Sequence, residues 1–520
     1  MTQAEESRSW KSSHNPWLVA VVVTLAAFME ILDTTIVNVS LPHIAGSLST
    51  TYDNATWSLT SYLAANGIVL TISGWLGRVL GRKRYFLICI FMFSVASFLC
   101  GIADSLGELV VFRLIQGFFG GGLQPNQQSI ILDTFPPEKR SAAFGLTAIA
   151  TIVAPVLGPT LGGWITDNYS WRWIFFINVP IGILTVIAVM LLVEDPPWAR
   201  KRRERVDYIG LSLITLGLGC LEVMVDRGED ADWFGSNFIC WMAFFAFVGI
   251  VGAIIWLSYA RNPVVDLRIF KDRNFAICTV LMGGVGAILY GSAVIVPQLA
   301  QQIMGYTAFL SGLILTPGAI AIIVLIPIIG KIMHSVQIRY VIAMGFFLMG
   351  CGLFYSAHLV PYLDFKNLVI FRVCQTATLA FLFVPLSTIA FMTIPQKYNG
   401  DGAALFSMIR NVLGALSISG ATALITDSRQ IRQAYLVQYM TPLHQPYNEY
   451  LNRMTAAAQQ WGYAIQDQSN AAMQYLYKDF IKQGAILAYN DVFMLIGICA
   501  FALVPICFLL DRHKAGSKSN

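Results

Sequence analysis

Apolar blocks near 20 residues long recur along the whole of this 520-residue chain. Each is the length an α-helix needs to cross a hydrocarbon core about 30 Å thick. Inside such a core every backbone polar group must be satisfied within the segment, so a chain built of these blocks has little choice but to cross as helices. Fourteen spans are predicted, at about 17–39, 55–76, 85–103, 108–132, 141–165, 174–193, 208–225, 238–259, 275–299, 308–330, 340–358, 368–391, 403–425 and 489–510. Only 12% of the residues are charged, about half the share of soluble chains, which excludes an ordinary soluble enzyme. The first block is too long for a cleaved signal peptide, carries Glu30 and Asp33, and has no small-residue cleavage site after it. The expected class is therefore an all-α polytopic membrane protein.

An even number of spans puts both termini on one side, and the basic residues say which. With the N-terminus inside, the inner segments hold 23 Lys and Arg, whereas the short outer loops hold only Arg172, Arg227 and Lys366. By the positive-inside rule both ends are expected in the cytoplasm. The net charge of +5 is small and dispersed, which speaks against nucleic acid as a partner. All nine cysteines fall within apolar blocks and read as packing residues, with neither a disulfide framework nor a metal-ligand spacing.

The chain also repeats itself. Leu109-Val-Val-Phe-Arg113-Leu-Ile-Gln116 in span 4 returns as Leu368-Val-Ile-Phe-Arg372-Val-Cys-Gln375 in span 12, displaced by 259 residues. Phe135-Pro-Pro-Glu-Lys before span 5 has an echo in Ile394-Pro-Gln-Lys before span 13 at the same displacement. The repeat unit is therefore six helices, with spans 7 and 8 inserted between two halves. The expected organisation is an N-tail at 1–16, a first half at 17–193, and a basic loop with the two extra helices at 194–274. A second half follows at 275–510 and a C-tail at 511–520. Parallel halves of this kind surround a central pathway, with a substrate site near the midplane.

Ionisable residues inside spans are expensive in hydrocarbon and mark function. Glu30 and Asp33 lie three residues apart on one face of span 1. Holding two neighbouring carboxylates ionised in a low dielectric is costly, so at least one is expected to exchange protons near neutral pH. Arg113 in span 4 is the counter-charge within reach, and the alternative is that Asp33 is only its structural partner. Glu222, in the outer third of span 7, is expected near the headgroups with Asp226. Arg372 is the second-half copy of Arg113. Arg410, read as near the inner surface, fits snorkelling as well as gating. Gln116, Gln124, Asn126 and Gln127 in span 4, with Asn38 in span 1, are candidates to line an aqueous cavity or to join helices. Pro155, Gly158, Pro159, Gly162 and Gly163 make span 5 a bendable, closely packed helix. No Gly-x4-Gly-Lys-Ser/Thr loop is present, so ATP hydrolysis is not expected. The six histidines lie in tails, loops or helix ends without a nucleophile partner, which speaks against a membrane enzyme.

At these residues the chain resembles the EmrB/QacA family of fourteen-span drug:proton antiporters in the major facilitator superfamily, and its EmrB-type members most of all. The resemblance rests on Leu32-Asp33-Thr-Thr-Ile-Val-Asn38-Val-Ser-Leu-Pro42, on Arg113-Leu-Ile-Gln116-Gly117, and on the antiporter motif Gly158-Pro159-Thr-Leu-Gly162-Gly163. Trp173-Ile-Phe-Phe-Ile-Asn-Val-Pro-Ile-Gly182, Asp226-Arg-Gly228 and Asn262-Pro-Val-Val-Asp266-Leu extend it over nearly the whole chain. It implies a proton-coupled antiporter in a bacterial inner membrane that exports lipophilic compounds, is driven by the proton gradient, and needs no cofactor. It further implies that drug passes to a periplasmic adaptor and an outer-membrane channel. A transporter of one specific metabolite would share the fold and remains the alternative. The loop after span 2 departs from the superfamily pattern: Gly74-Trp-Leu-Gly77-Arg78-Val-Leu-Gly81-Arg82-Lys83 carries Arg78 where an Asp is usual. The usual inner clasp made by that Asp is therefore not expected in its standard form. The polar segment 426–488 is expected outside the membrane as short amphipathic helices split by Pro442 and Pro446, and as the docking surface for the adaptor.

Overall fold

The computed structural model describes residues 13–196, 206–358, 360, 364–395 and 398–512. The N-tail before residue 13, the basic run from Arg200 to Arg205, Lys397 and the C-tail beyond 512 lie outside the described residues. Among the described residues, fourteen helices are long and apolar enough to span a membrane. In the first half they are α1 (Pro16–Ser47), α2 (Trp57–Leu80), α3 (Arg82–Gly101), α4 (Leu106–Thr134), α5 (Arg140–Asn168) and α6 (Trp173–Leu192). The inserted pair is α7 (Tyr208–Arg227) and α8 (Asn237–Tyr259). The second half holds α9 (Arg273–Gln302), α10 (Ala308–Ser335), α11 (Ile338–Ser356), α12 (Phe365–Ala390) and α13 (Asn399–Val437). A shorter helix, α14 (Gln445–Gln460), precedes the fourteenth span, α15 (Ile465–Cys507). No strand occurs among the described residues.

Local chemistry sets the helix ends. Asn15 caps α1 by accepting from the Trp17 amide at 2.9 Å, with Pro16 at the first turn. Asp272 and Thr307 cap α9 and α10 in the same way. Between α2 and α3 the chain turns at Gly81 with φ +87°, a left-handed conformation that glycine adopts without a Cβ penalty. The apolar surface facing outward, from Leu18 and Val21 on α1 to Leu184 and Leu191 on α6, suits contact with acyl chains rather than water.

The two halves meet along α2 with α13 and along α5 with α10 and α12. At the end carrying the basic loops they are closed against each other. Gly74 faces the backbone of Gly400 and Asp401, the rings of Phe144 and Phe391 meet tilted at 5.9 Å, and Gly145 abuts Ile326. The inserted helices pack on each other through Gly217 and Gly249. Helix α7 then seats on α2 and α13, where Thr60 donates to Asp226, Arg227 contacts Thr56, and Ser419 donates to the Val225 carbonyl.

The segment after span 13 differs from the sequence expectation. Most of it is not a set of short helices but a continuation of the flanking spans: α13 runs 39 residues and α15 runs 43. At 1.5 Å per residue these are roughly 58 and 65 Å long, about twice the hydrocarbon thickness. The excess projects from the end opposite the basic loops as a helical hairpin, with α14 packed along it. Arg432 on α13 grips Asp491 on α15 with bonds of 3.0 and 2.7 Å, and Trp461 lies 5.0 Å from Tyr475. Proline splits the segment only locally, where Pro446 starts α14. The unbroken helices result because the polar residues beyond 425 still have helix-forming propensity and a partner helix to lean on.

Candidate functional site

The polar core of the first half is assembled from five helices around α1. Asp33 is 1% exposed and accepts three hydrogen bonds: from Arg113 Nη1 at 2.6 Å, Gln116 Nε2 at 3.0 Å and Asn178 Nδ2 at 2.6 Å. Arg113 is wholly buried and is oriented by more than the acid. Its Nε donates to the Ser58 carbonyl at 3.2 Å, its Nη1 also reaches Gln116 Oε1 at 2.9 Å, and its guanidinium lies 4.0 Å from the centre of the Tyr62 ring. A charge-assisted bond, two amides and an aromatic face together hold an ion pair that hydrocarbon alone would not tolerate. Asn178, which also donates to Ser97 Oγ at 3.0 Å, escaped sequence reasoning. The available signal was a lone amide at the start of a strongly apolar span.

Glu30, one turn away on α1, does not share these partners. Its Oε1 accepts from Asn66 at 2.9 Å and from Tyr62 at 3.4 Å, and its Oε2 accepts from Gln124 at 2.6 Å. The other end of the Gln124 amide accepts from Arg410 Nη2 on α13. A chain Glu30–Gln124–Arg410 therefore crosses from one half to the other. Arg410 is 1% exposed and sits eleven residues into α13, roughly 16 Å from its start, so it lies buried between the halves and not near the inner surface as expected from the sequence.

The remaining candidates fall elsewhere. Asn126 donates to the Gly122 carbonyl at 2.9 Å within its own helix, and Gln127 donates to Thr24 and Thr147 at 3.2 and 2.7 Å, joining α4 to α1 and α5. Both are buried inside the first half. Asn38 is exposed, two turns from Glu30 along α1. Glu222 is half-buried on α7, one turn from Asp226, which is bound by Thr60 of α2.

Helix α5 approaches α1 through its glycines. A Cβ on Gly158 would stand 2.8 Å from Thr35 Cβ and 3.2 Å from the Ile36 nitrogen, and one on Gly162 would stand 2.9 Å from the Ile36 carbonyl oxygen. Pro155 and Pro159 remove two backbone donors in the same stretch, and Gly163 is buried beside them. The antiporter motif thus lies against the turn of α1 that follows Asp33.

At the basic end, the departure from the usual loop pattern has a compensating partner. Arg78 forms an ion pair with Asp401, in the first turn of α13, across the interface between halves. A clasp is present with its charges reversed: the cation stands on α2 and the anion on the partner helix, where the positive end of the helix dipole also favours it. Arg82 pairs with Asp133 at the end of α4, and Asn399 donates to the same carboxylate at 3.2 Å. The Lys83 amide donates to Asp195 at 2.8 Å, and its Nζ to the Met190 carbonyl at 2.8 Å. Asp133 and Asp401 were missed by sequence reasoning, since each reads alone as an ordinary loop-proximal acid.

Comparison with known proteins agrees with this architecture. The pattern of the Major Facilitator Superfamily matches residues 23–418. The chain is 35% identical to the multidrug export protein EmrB of Haemophilus influenzae over 479 residues, 92% of each chain. It is 35% identical to the multidrug export protein EmrB of Escherichia coli strain K12 over 497 residues, 94% of this chain and 95% of that one. The solved structure of the human organic anion transporter MFSD10 superposes with a TM-score of 0.59, covering 94% of this chain and 99% of that one; at 11% identity it attests the fold alone. This multi-pass membrane protein is a transporter rather than an enzyme, and it belongs to the major facilitator superfamily, in which it is similar over nearly its whole length to EmrB proteins.

Proposed function

We propose that this chain exchanges lipophilic toxic compounds for protons across a bacterial inner membrane, with both termini in the cytoplasm and the proton carried by Asp33. The observation that carries the reading is a fully buried carboxylate whose only ionic partner among the described residues is the equally buried Arg113. Protonating Asp33 discharges the carboxylate and leaves the site with a net positive charge on Arg113, whose guanidinium keeps the Ser58 carbonyl, Gln116 and the Tyr62 ring. The arginine therefore keeps hydrogen-bond partners while its counter-charge is lost, and that cost couples protonation to a change of conformation. One proton entering down 100 mV supplies about 2.3 kcal/mol, before any pH gradient is added.

The Glu30–Gln124–Arg410 chain supports a link between protonation and rocking. Its acid belongs to one half and its cation to the other, so separating the halves removes Arg410 from Gln124 and changes the field at Glu30. In the conformation closed at the basic end, drug leaves on the far side as Asp33 takes up a proton. Opening the Arg78–Asp401 clasp then exposes the core to the cytoplasm, where the proton is lost and new substrate enters. The antiporter motif of α5 acts as the close-packed hinge against α1. The hairpin of α13 and α15 with α14, which presents Ile431, Tyr435, Leu443 and Trp461 to the outside, is the docking surface for a periplasmic adaptor leading to an outer-membrane channel.

The test is substrate-induced proton movement in proteoliposomes. The wild-type protein should alkalinise or acidify the lumen on addition of substrate, according to its orientation. Asp33→Asn, correctly folded and inserted, should give no proton signal and no uphill export. Uphill export by Asp33→Asn that still responds to an imposed pH gradient would overturn the assignment.

A further inference from the structure

The internal duplication places a second buried arginine in the other half without the acid that accompanies the first. The displacement of 259 residues that relates Arg113 to Arg372 and Gln116 to Gln375 also relates Ser97 to Ser356 and Asp33 to Ser292. The geometry follows the same correspondence. Arg372 Nη1 donates to Ser292 Oγ at 2.8 Å, where Arg113 meets Asp33, and Gln375 donates to Ser356 Oγ at 2.7 Å. Arg372 is 1% exposed, no carboxylate lies within ion-pair distance of it among the described residues, and its Nε and Nη2 have no hydrogen-bond partner. Asp491, two residues before the cavity-lining Phe493 on α15, is already bound by Arg432. Unpaired buried guanidinium is the costly arrangement that proteins avoid unless something supplies the missing charge.

Arg372 borders a cavity of about 10 Å³ lined by Val296, Leu299, Leu368, Phe371 and Phe493, with Ser356 and Gln375 as its polar wall. That is room for a single water-sized occupant. We propose that a compact monovalent anion such as chloride, somewhat larger than water and admitted by a small shift of the apolar wall, binds in this pocket and serves Arg372 as the Asp33 carboxylate serves Arg113. The free Nε and Nη2 of Arg372 are able to donate to it, whereas the hydroxyls of Ser292 and Ser356 already donate to the Leu289 and Gly352 carbonyls, and the apolar wall favours a small, singly charged ion over a phosphate or sulfate. The site is independent of the proton-coupling assignment, since neither Asp33 nor Glu30 takes part.

The experiment compares thermal unfolding of the purified full-length protein in chloride and in gluconate at equal ionic strength, and locates bromide by anomalous diffraction. Chloride should raise Tm by about 2 °C or more at saturation, with bromide beside Arg372. Ser292→Asp supplies the counter-charge internally, so this variant should unfold at the same temperature in both salts while remaining folded in each. Absence of a chloride effect on the wild type, or an equal effect on Ser292→Asp, would overturn the proposal. Stabilisation by decanoate but not by chloride would also overturn it, assigning the arginine instead to the carboxylate of an amphipathic substrate.

Discussion

The reversed clasp makes a quantitative prediction about conformational balance. Asp401 is 4% exposed at its side chain and Arg78 is 24% exposed. Breaking a fully buried pair by removing one partner costs 3–5 kcal/mol, whereas exposed pairs are worth up to about 1 kcal/mol. With one partner buried and the other about a quarter open to solvent, the Asp401→Asn change should weaken the closed basic end by about 2 kcal/mol. Since the contact exists only when the halves meet there, that loss shifts the open-to-closed ratio by about 30-fold. The shift is measurable as a distance distribution between spin labels at Ile88 and Tyr340, exposed positions near the basic ends of α3 and α11, in a background lacking the native cysteines. Arg78→Gln should produce a shift of the same sign, and the double variant should be no more open than the worse single one, because both changes remove one interaction. Additive effects of the two substitutions, or an unchanged distance distribution in Asp401→Asn, would show that the pair does not hold the halves together.

Three further outcomes are expected. Gly158→Leu should lower transport by about tenfold or more with a smaller fall in abundance, because its side chain must displace Thr35 and the α1 backbone; normal turnover at wild-type abundance would reduce the motif to incidental packing. Arg410→Gln should abolish substrate-driven proton exchange in proteoliposomes while leaving thermal stability in detergent near that of the wild type, and full-rate exchange would make the link between halves dispensable. Replacing residues 440–475 with a Gly/Ser linker removes α14 and the tip of α15, and should abolish adaptor co-purification and resistance in cells while sparing exchange in proteoliposomes. Adaptor that still co-purified with the linker variant would end the docking role of the hairpin.

The span count, the duplication and the Asp33–Arg113 partnership were legible in the order of residues. Each depends on a local pattern or on a repeated one: a run of about 20 apolar side chains, a motif recurring after 259 positions, a charge that hydrocarbon penalises. The segment after span 13 misled because its composition is polar and proline-bearing, yet helix propensity and a neighbouring helix carry α13 and α15 far into it from either side. What joins the halves was beyond a reading of sequence. Arg78 finds Asp401 323 residues away, and Gln124 finds Arg410 286 residues away. Asn178 reaches Asp33 across 145 residues. No periodicity connects such positions, because their approach is set by how whole helices cross and by where glycines let them close. The missing acid beside Arg372 likewise becomes evident only when both halves are folded, since a serine at position 292 is unremarkable until its neighbour proves to be a buried cation.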